Sequence, residues 1–156
     1  MKKWLLVLGV AVIFVAVLLS GCAKGVAPEE FATAQTQIKS LETQVADLSA
    51  ISAYNIWYDQ YYLYGTETQY YAFPDTASFN KRLGDLVYAT GDSASKTAWD
   101  AYLVADTALS DVLAQLPEDY TTWTEEQTNQ WSGVNTARYD ALGAVGTALF
   151  NVITGY

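Results

Sequence analysis

TWTEEQTNQWSGVNTARYDALGAVGTALFNVITGY, residues 122–156, is the stretch that decides the fold. Thr122 stands three residues before Glu125, and Thr124 three before Gln127, so either threonine can open a helix through a reciprocal capping box. In such a box the hydroxyl accepts from the backbone N–H three residues on, and the long side chain there reaches back to the cap. Behind that start, Trp131, Val134, Arg138, Leu142, Val145, Leu149 and Val152 recur three or four positions apart, the period of one helical face. Arg138 interrupts the apolar series and is expected to reach past the core with its stem buried. Ala137, Ala141, Gly143, Ala144, Gly146 and Ala148 leave the helix thin-sided, so that a neighbouring helix can come close. Each glycine costs about 1 kcal/mol of helix propensity relative to alanine.

Toward the N-terminus the same period returns three times. Pro117 closes an earlier helix, because proline loses a backbone bond inside the ladder. That helix starts at Asp92 or Ser93 and places Trp99, Tyr102, Leu103, Leu109, Val112, Leu113 and Leu116 on its inner side. A shorter helix, capped by Asp75 or Thr76, carries Phe79, Leu83, Leu86 and Val87 and stops near Thr90-Gly91. The first helical pattern begins at Phe31. Ile38, Leu41, Val45 and Leu48 form its stripe, which shifts to Ile51, Tyr54, Tyr58 and Tyr61 or Tyr62 and ends at Tyr64-Gly65. Each stripe needs burying and the connections are short. The expected fold is therefore all-α, a small antiparallel bundle of three or four helices over residues 31–156.

Ahead of the bundle, Lys2 and Lys3 lead into sixteen apolar or glycine positions, Trp4 to Leu19, and then Leu19-Ser20-Gly21-Cys22. The run is short for a bilayer span of about 20 residues and suits the apolar region of a secretory signal. This order resembles a prokaryotic membrane lipoprotein signal. The resemblance covers residues 1–22 and implies cleavage before Cys22, acylation of Cys22, and a domain held outside the cytoplasmic membrane at its periplasmic or outer face. Several chains on one residue anchor far better than one. Residues 1–21 are then the signal and 22–30 (CAKGVAPEE) a tether. The alternative is an uncleaved signal anchor, held by its two lysines.

Removing residues 1–21 leaves 135 residues, the size of one domain, with six basic side chains against seventeen acidic ones and a formal charge of −11. That balance argues against nucleic acid, whose phosphates call for a basic footprint. A lone cysteine gives no internal disulfide. The absence of histidine removes the usual general base and the commonest metal ligand, so no metal or other cofactor is expected and no enzyme chemistry is indicated.

Nine aromatic residues crowd the twenty positions 54–73. Trp57, Tyr58, Tyr61, Tyr62, Tyr64, Tyr70 and Tyr71 either make a satellite core under the 66–74 loop or form a contact surface for a protein or a polysaccharide, since tyrosine and tryptophan are favoured at binding hot spots. Asp59 and Glu67 lie among them and are the first choice of carboxylates for a carbohydrate-binding or carbohydrate-active site. Of the other aspartates, Asp92 reads as a helix start, and Asp85, Asp100, Asp106 and Asp111 read as solvated helix faces. The favoured expectation is a lipid-anchored, non-enzymatic binding or assembly module of the envelope. Beside it stand the carbohydrate reading and self-association through the thin side of the last helix.

Overall fold

The computed structural model describes residues 28–63 and 75–156, with the Tyr62 and Leu63 side chains left out. The described residues hold four α-helices and no strand: α1 (Pro28–Leu63), α2 (Thr76–Ala89), α3 (Ser93–Leu113) and α4 (Glu125–Thr154). A single 3-10 turn, Tyr120–Thr122, precedes α4. The fold is all-α. The chain divides into two compact units, Met1–Glu42 and Thr43–Tyr156. The described part of the first, Pro28–Glu42, is wholly helical; the second holds the core.

Local chemistry explains each helix start. α1 begins at Pro28, three residues before Phe31, because proline is preset for the first helical position and Glu29 and Glu30 favour the dipole there. Asp75 caps α2 by accepting from the Ser78 N–H at 2.6 Å, and Asp92 caps α3 by accepting from the Ser95 N–H at 2.6 Å. The Ser78 bond holds the Asp75 carboxyl below its ordinary range. Of the two candidate threonines, Thr124 makes the capping box with Gln127. Thr122 instead ends the 3-10 turn, which Asp119 caps. Gly91, at φ 72°, takes the left-handed turn between α2 and α3 that a side chain would strain. α3 ends at Leu113, earlier than Pro117, and Leu113 lies exposed rather than on the inner side.

The core gathers Ala53 and Trp57 from α1, Phe79, Leu83 and Val87 from α2, Trp99 and Tyr102 from α3, and Leu142, Val145 and Leu149 from α4. Burying each large apolar side chain contributes about 1.5–3 kcal/mol. The pairings run antiparallel. Between α1 and α4, Tyr54 meets Phe150 and Tyr61 meets Tyr139, so rising numbers on one helix face falling numbers on the other. Between α2 and α3, Gly84 faces Trp99 while Asn80 meets Asp106.

Glycines set two of these approaches. Gly146 lies under the Trp57 indole so closely that a methyl group there would overlap the ring. Trp57 Nε1 donates to the Leu142 carbonyl at 2.6 Å, which satisfies the buried indole N–H. Gly84 likewise meets the Trp99 ring, whose Nε1 would lie 3.0 Å from an added Cβ.

The α1 stripe is a correction. Leu41, Val45 and Leu48 are 48%, 50% and 64% exposed, and Ile51 and Tyr58 also face solvent. The buried face is Ser49, Ala50, Ala53 and Trp57, turned away from the regular stripe. Small Ala50 and Ala53 flank the one large ring, Trp57, that the Gly146 site accepts.

Candidate functional site

The aromatic segment separates into different roles. Trp57 is 5% exposed and belongs to the core, so it is no part of a contact surface. Its ring stacks on Tyr61 at 5.1 Å and tilts against Tyr54 at 5.3 Å. Tyr61 is half-buried and packs against that core, whereas Tyr58 is 45% exposed and Asp59 beside it faces solvent. Cys22, Tyr64, Glu67, Tyr70, Tyr71 and the Tyr62 side chain lie outside the described residues, so no Asp59–Glu67 separation is defined.

The structure builds one polar cluster from residues of three helices. Arg138 on α4 donates from Nε to Asp106 Oδ1 at 2.5 Å and from Nη2 to the Tyr102 hydroxyl at 2.9 Å. Tyr102 donates to Asn80 Oδ1 at 3.1 Å, and Asn80 Nδ2 donates to Asp106 Oδ2 at 2.9 Å. The bonds form a closed ring through α2, α3 and α4. The Arg138 carbon between its nitrogens also stands 5.3 Å from the centre of the Tyr102 ring, within cation–π range.

The electrostatics follow from this closure. Burial is the largest influence on Arg138 and disfavours its charge, but the Asp106 bond together with the charges of Tyr102, Asp106 and Tyr139 outweighs it and holds the guanidinium above its ordinary value. Burial also pushes the Tyr102 hydroxyl up, with Asp106 adding to the effect and Arg138 opposing it. The phenol therefore stays neutral and acts as a hydrogen-bond relay. Because each member of the ring spends its polar atoms on another member, the cluster is suited to fixing helix register more than to meeting a substrate. Asp106 is thus no solvated face, and Arg138 ends on a partner instead of running out to water.

Most other mid-chain carboxylates have local work. Asp85 pairs with Lys81 at 3.2 Å, Asp92 caps α3, and Asp100 accepts from the Tyr88 hydroxyl at 2.6 Å. The Asp100 bond raises the Tyr88 hydroxyl above its ordinary value. Asp111 faces solvent. Among the described residues, no three acidic side chains gather at metal-binding distance.

An open depression of about 510 Å³ lies where the α2–α3 turn meets the end of α4, lined by Thr90, Gly91, Asp92, Asn151, Gly155 and Tyr156. Its one acidic side chain, Asp92, is already committed to the Ser95 cap. No helix among the described residues is long and apolar enough to cross a membrane.

The helices and their interlocking ring place the chain in the class of small helical bundles. No protein-family model, curated protein or solved structure matches it.

Proposed function

We propose that this chain is a lipid-anchored protein of the cell envelope that works as a non-enzymatic binding or assembly module. Acylated Cys22 ties it to the membrane, and the helical domain stands on the outer side of the cytoplasmic membrane, periplasmic or at the cell surface. The support for the anchor is the order of Lys2-Lys3, the apolar run and Leu19-Ser20-Gly21-Cys22. The observation that carries the binding role is the exposed apolar series Phe31, Leu41, Val45 and Leu48, on the helix that follows the tether. Exposed apolar side chains at helical spacing suit a partner helix, the recognition mode in which anchors repeat three and four residues apart. The closed Asn80–Tyr102–Asp106–Arg138 ring, by contrast, serves the scaffold.

The test is the intact mass of protein extracted from its host membrane, beside a Cys22→Ala variant. The expected result is loss of residues 1–21 and an added lipid mass that requires Cys22. A full-length, unmodified mass would overturn the anchor.

A further inference from the structure

α1 carries a more specific pattern than general apolar exposure. Phe31, Ala34, Ile38, Leu41, Val45 and Leu48 stand three, four, three, four and three residues apart. With Phe31 at position a of a heptad, Ile38 and Val45 also fall at a, and Ala34, Leu41 and Leu48 fall at d. In a parallel coiled coil, β-branched residues at a with leucine at d favour two strands, and Ile38, Leu41, Val45 and Leu48 follow that rule. The whole series lies within the helix Pro28–Leu63. Ala34 and Ile38 are half-buried and the other four exposed.

We propose that this face of α1 pairs with the same face of a second copy of the chain, as a short, parallel, two-stranded coiled coil. The flanking charges select that occupant. In a parallel pair, each g position faces the e position five residues further along the partner. Glu30 then faces Gln35 and Gln37 faces Glu42, while Ser49, the last e position, is buried against the chain's own core. No like charges meet, although the chain after residue 21 carries seventeen acidic side chains against six basic ones. A strongly acidic protein that keeps the borders of one apolar seam free of mutual repulsion has a seam compatible with its own copy.

Length sets the strength. Three a and three d positions stand at the lower edge of the three to four heptads that sustain a self-standing coiled coil. The contact therefore belongs to the weak class of interfaces, below roughly 1,200 Å². Here the inference rests on the lipid-anchor reading. Two copies held in one leaflet by residue 22 are confined at high effective concentration. Both helices then leave the membrane in the same direction, as a parallel pair requires.

The test uses full-length protein in its host membrane, carrying Ala34→Cys or Leu48→Cys, with Thr43→Cys on the opposite face and the unsubstituted chain as controls. Mild oxidation is expected to link each d-position variant to its own copy, at twice the monomer mass, at least tenfold more than Thr43→Cys. Adding Leu41→Asp and Val45→Asp to Leu48→Cys is expected to abolish the link while circular dichroism keeps its helical signal. An antiparallel pair would instead join position 34 to position 48 in mixed samples, and that result overturns the parallel model. Failure of both d positions to self-link, or linkage to a different protein, overturns the second-copy assignment. The monomer mass from the same samples reads the anchor separately. Links without lipid would retain the pairing and remove the anchor, whereas lipid without links would do the reverse.

Discussion

Arg138 on α4 meets Asp106 on α3 through a hydrogen-bonded ion pair whose two side chains keep only 15% and 16% exposure. Thirty-two residues separate them in sequence. Asn80 and Tyr102 complete the ring, so α2, α3 and α4 are tied at one level of the bundle. Breaking one side of such a pair leaves the other charge without its partner in a poorly hydrated place.

Arg138→Met is therefore expected to destabilise the fold by about 3 kcal/mol, the low end for disrupting a buried pair because some solvent still reaches this one. Arg138→Met with Asp106→Leu should recover most of that loss, since Asn80 and Tyr102 still bond to each other. Urea unfolding of the two single variants and the double variant gives the coupling. Additive losses would show that the pair does not act as a unit.

Stability should also fall at alkaline pH. Folding holds the Tyr102 hydroxyl above its ordinary value of 10.0, chiefly by burial. Its contribution is complete below that value and is lost as pH rises toward the folded one, because the unfolded chain releases this proton first. Unfolding free energy measured from neutral pH to about pH 11, where ordinary tyrosines ionise, should decline less steeply in Tyr102→Phe than in the parent. Equal slopes would mean that Tyr102 is not the group responsible.

Gly146→Ala and Gly133→Ala should move stability in opposite directions. At Gly146 the new methyl overlaps the Trp57 indole. The overpacking is expected to cost about 1–3 kcal/mol, against a helix-propensity gain of about 1 kcal/mol. Gly133 has nothing within 4 Å of the added carbon. There the propensity gain of up to about 1 kcal/mol stands alone. Thermal unfolding of both variants separates a packing requirement from simple backbone freedom.

Much of this arrangement was legible in the chain. The period of three and four residues located all four helices, and Thr124-Gln127, Asp75 and Asp92, each one of two candidates, mark the starts of the last three. Two things were not. The stripe Ile38–Leu48 is the most regular of all, yet regularity records a face able to pack and not what packs there. The choice between it and the Ala50–Ala53–Trp57 face turns on whether Gly146 can receive an indole, which no local pattern reveals. The polar ring did leave a signal. Asp106 falls four residues after Tyr102 and three before Leu109, inside the inner face of α3, just as Arg138 interrupts the inner face of α4. Opposite charges that each break an apolar stripe are candidates for one another. Taking each helix alone hides that match.

Ser95 offers a last test, in which removing a polar group should help. The residue is fully buried in the first turn of α3, and its hydroxyl has no hydrogen-bond partner among the described residues. Its structural contribution comes from the backbone N–H, which binds Asp92 Oδ2 at 2.6 Å and survives any side-chain change. A buried, unpaired polar group costs about 1–3 kcal/mol. Alanine removes that group and leaves a space smaller than a methyl. Ser95→Ala is therefore expected to raise unfolding stability by about 1 kcal/mol, with the alanine's better helix propensity acting in the same direction. Denaturant unfolding with an unchanged slope would confirm a gain in the native state. A loss of stability would instead show that the Ser95 hydroxyl holds a bound water or another partner, making the α3 start a hydrated site.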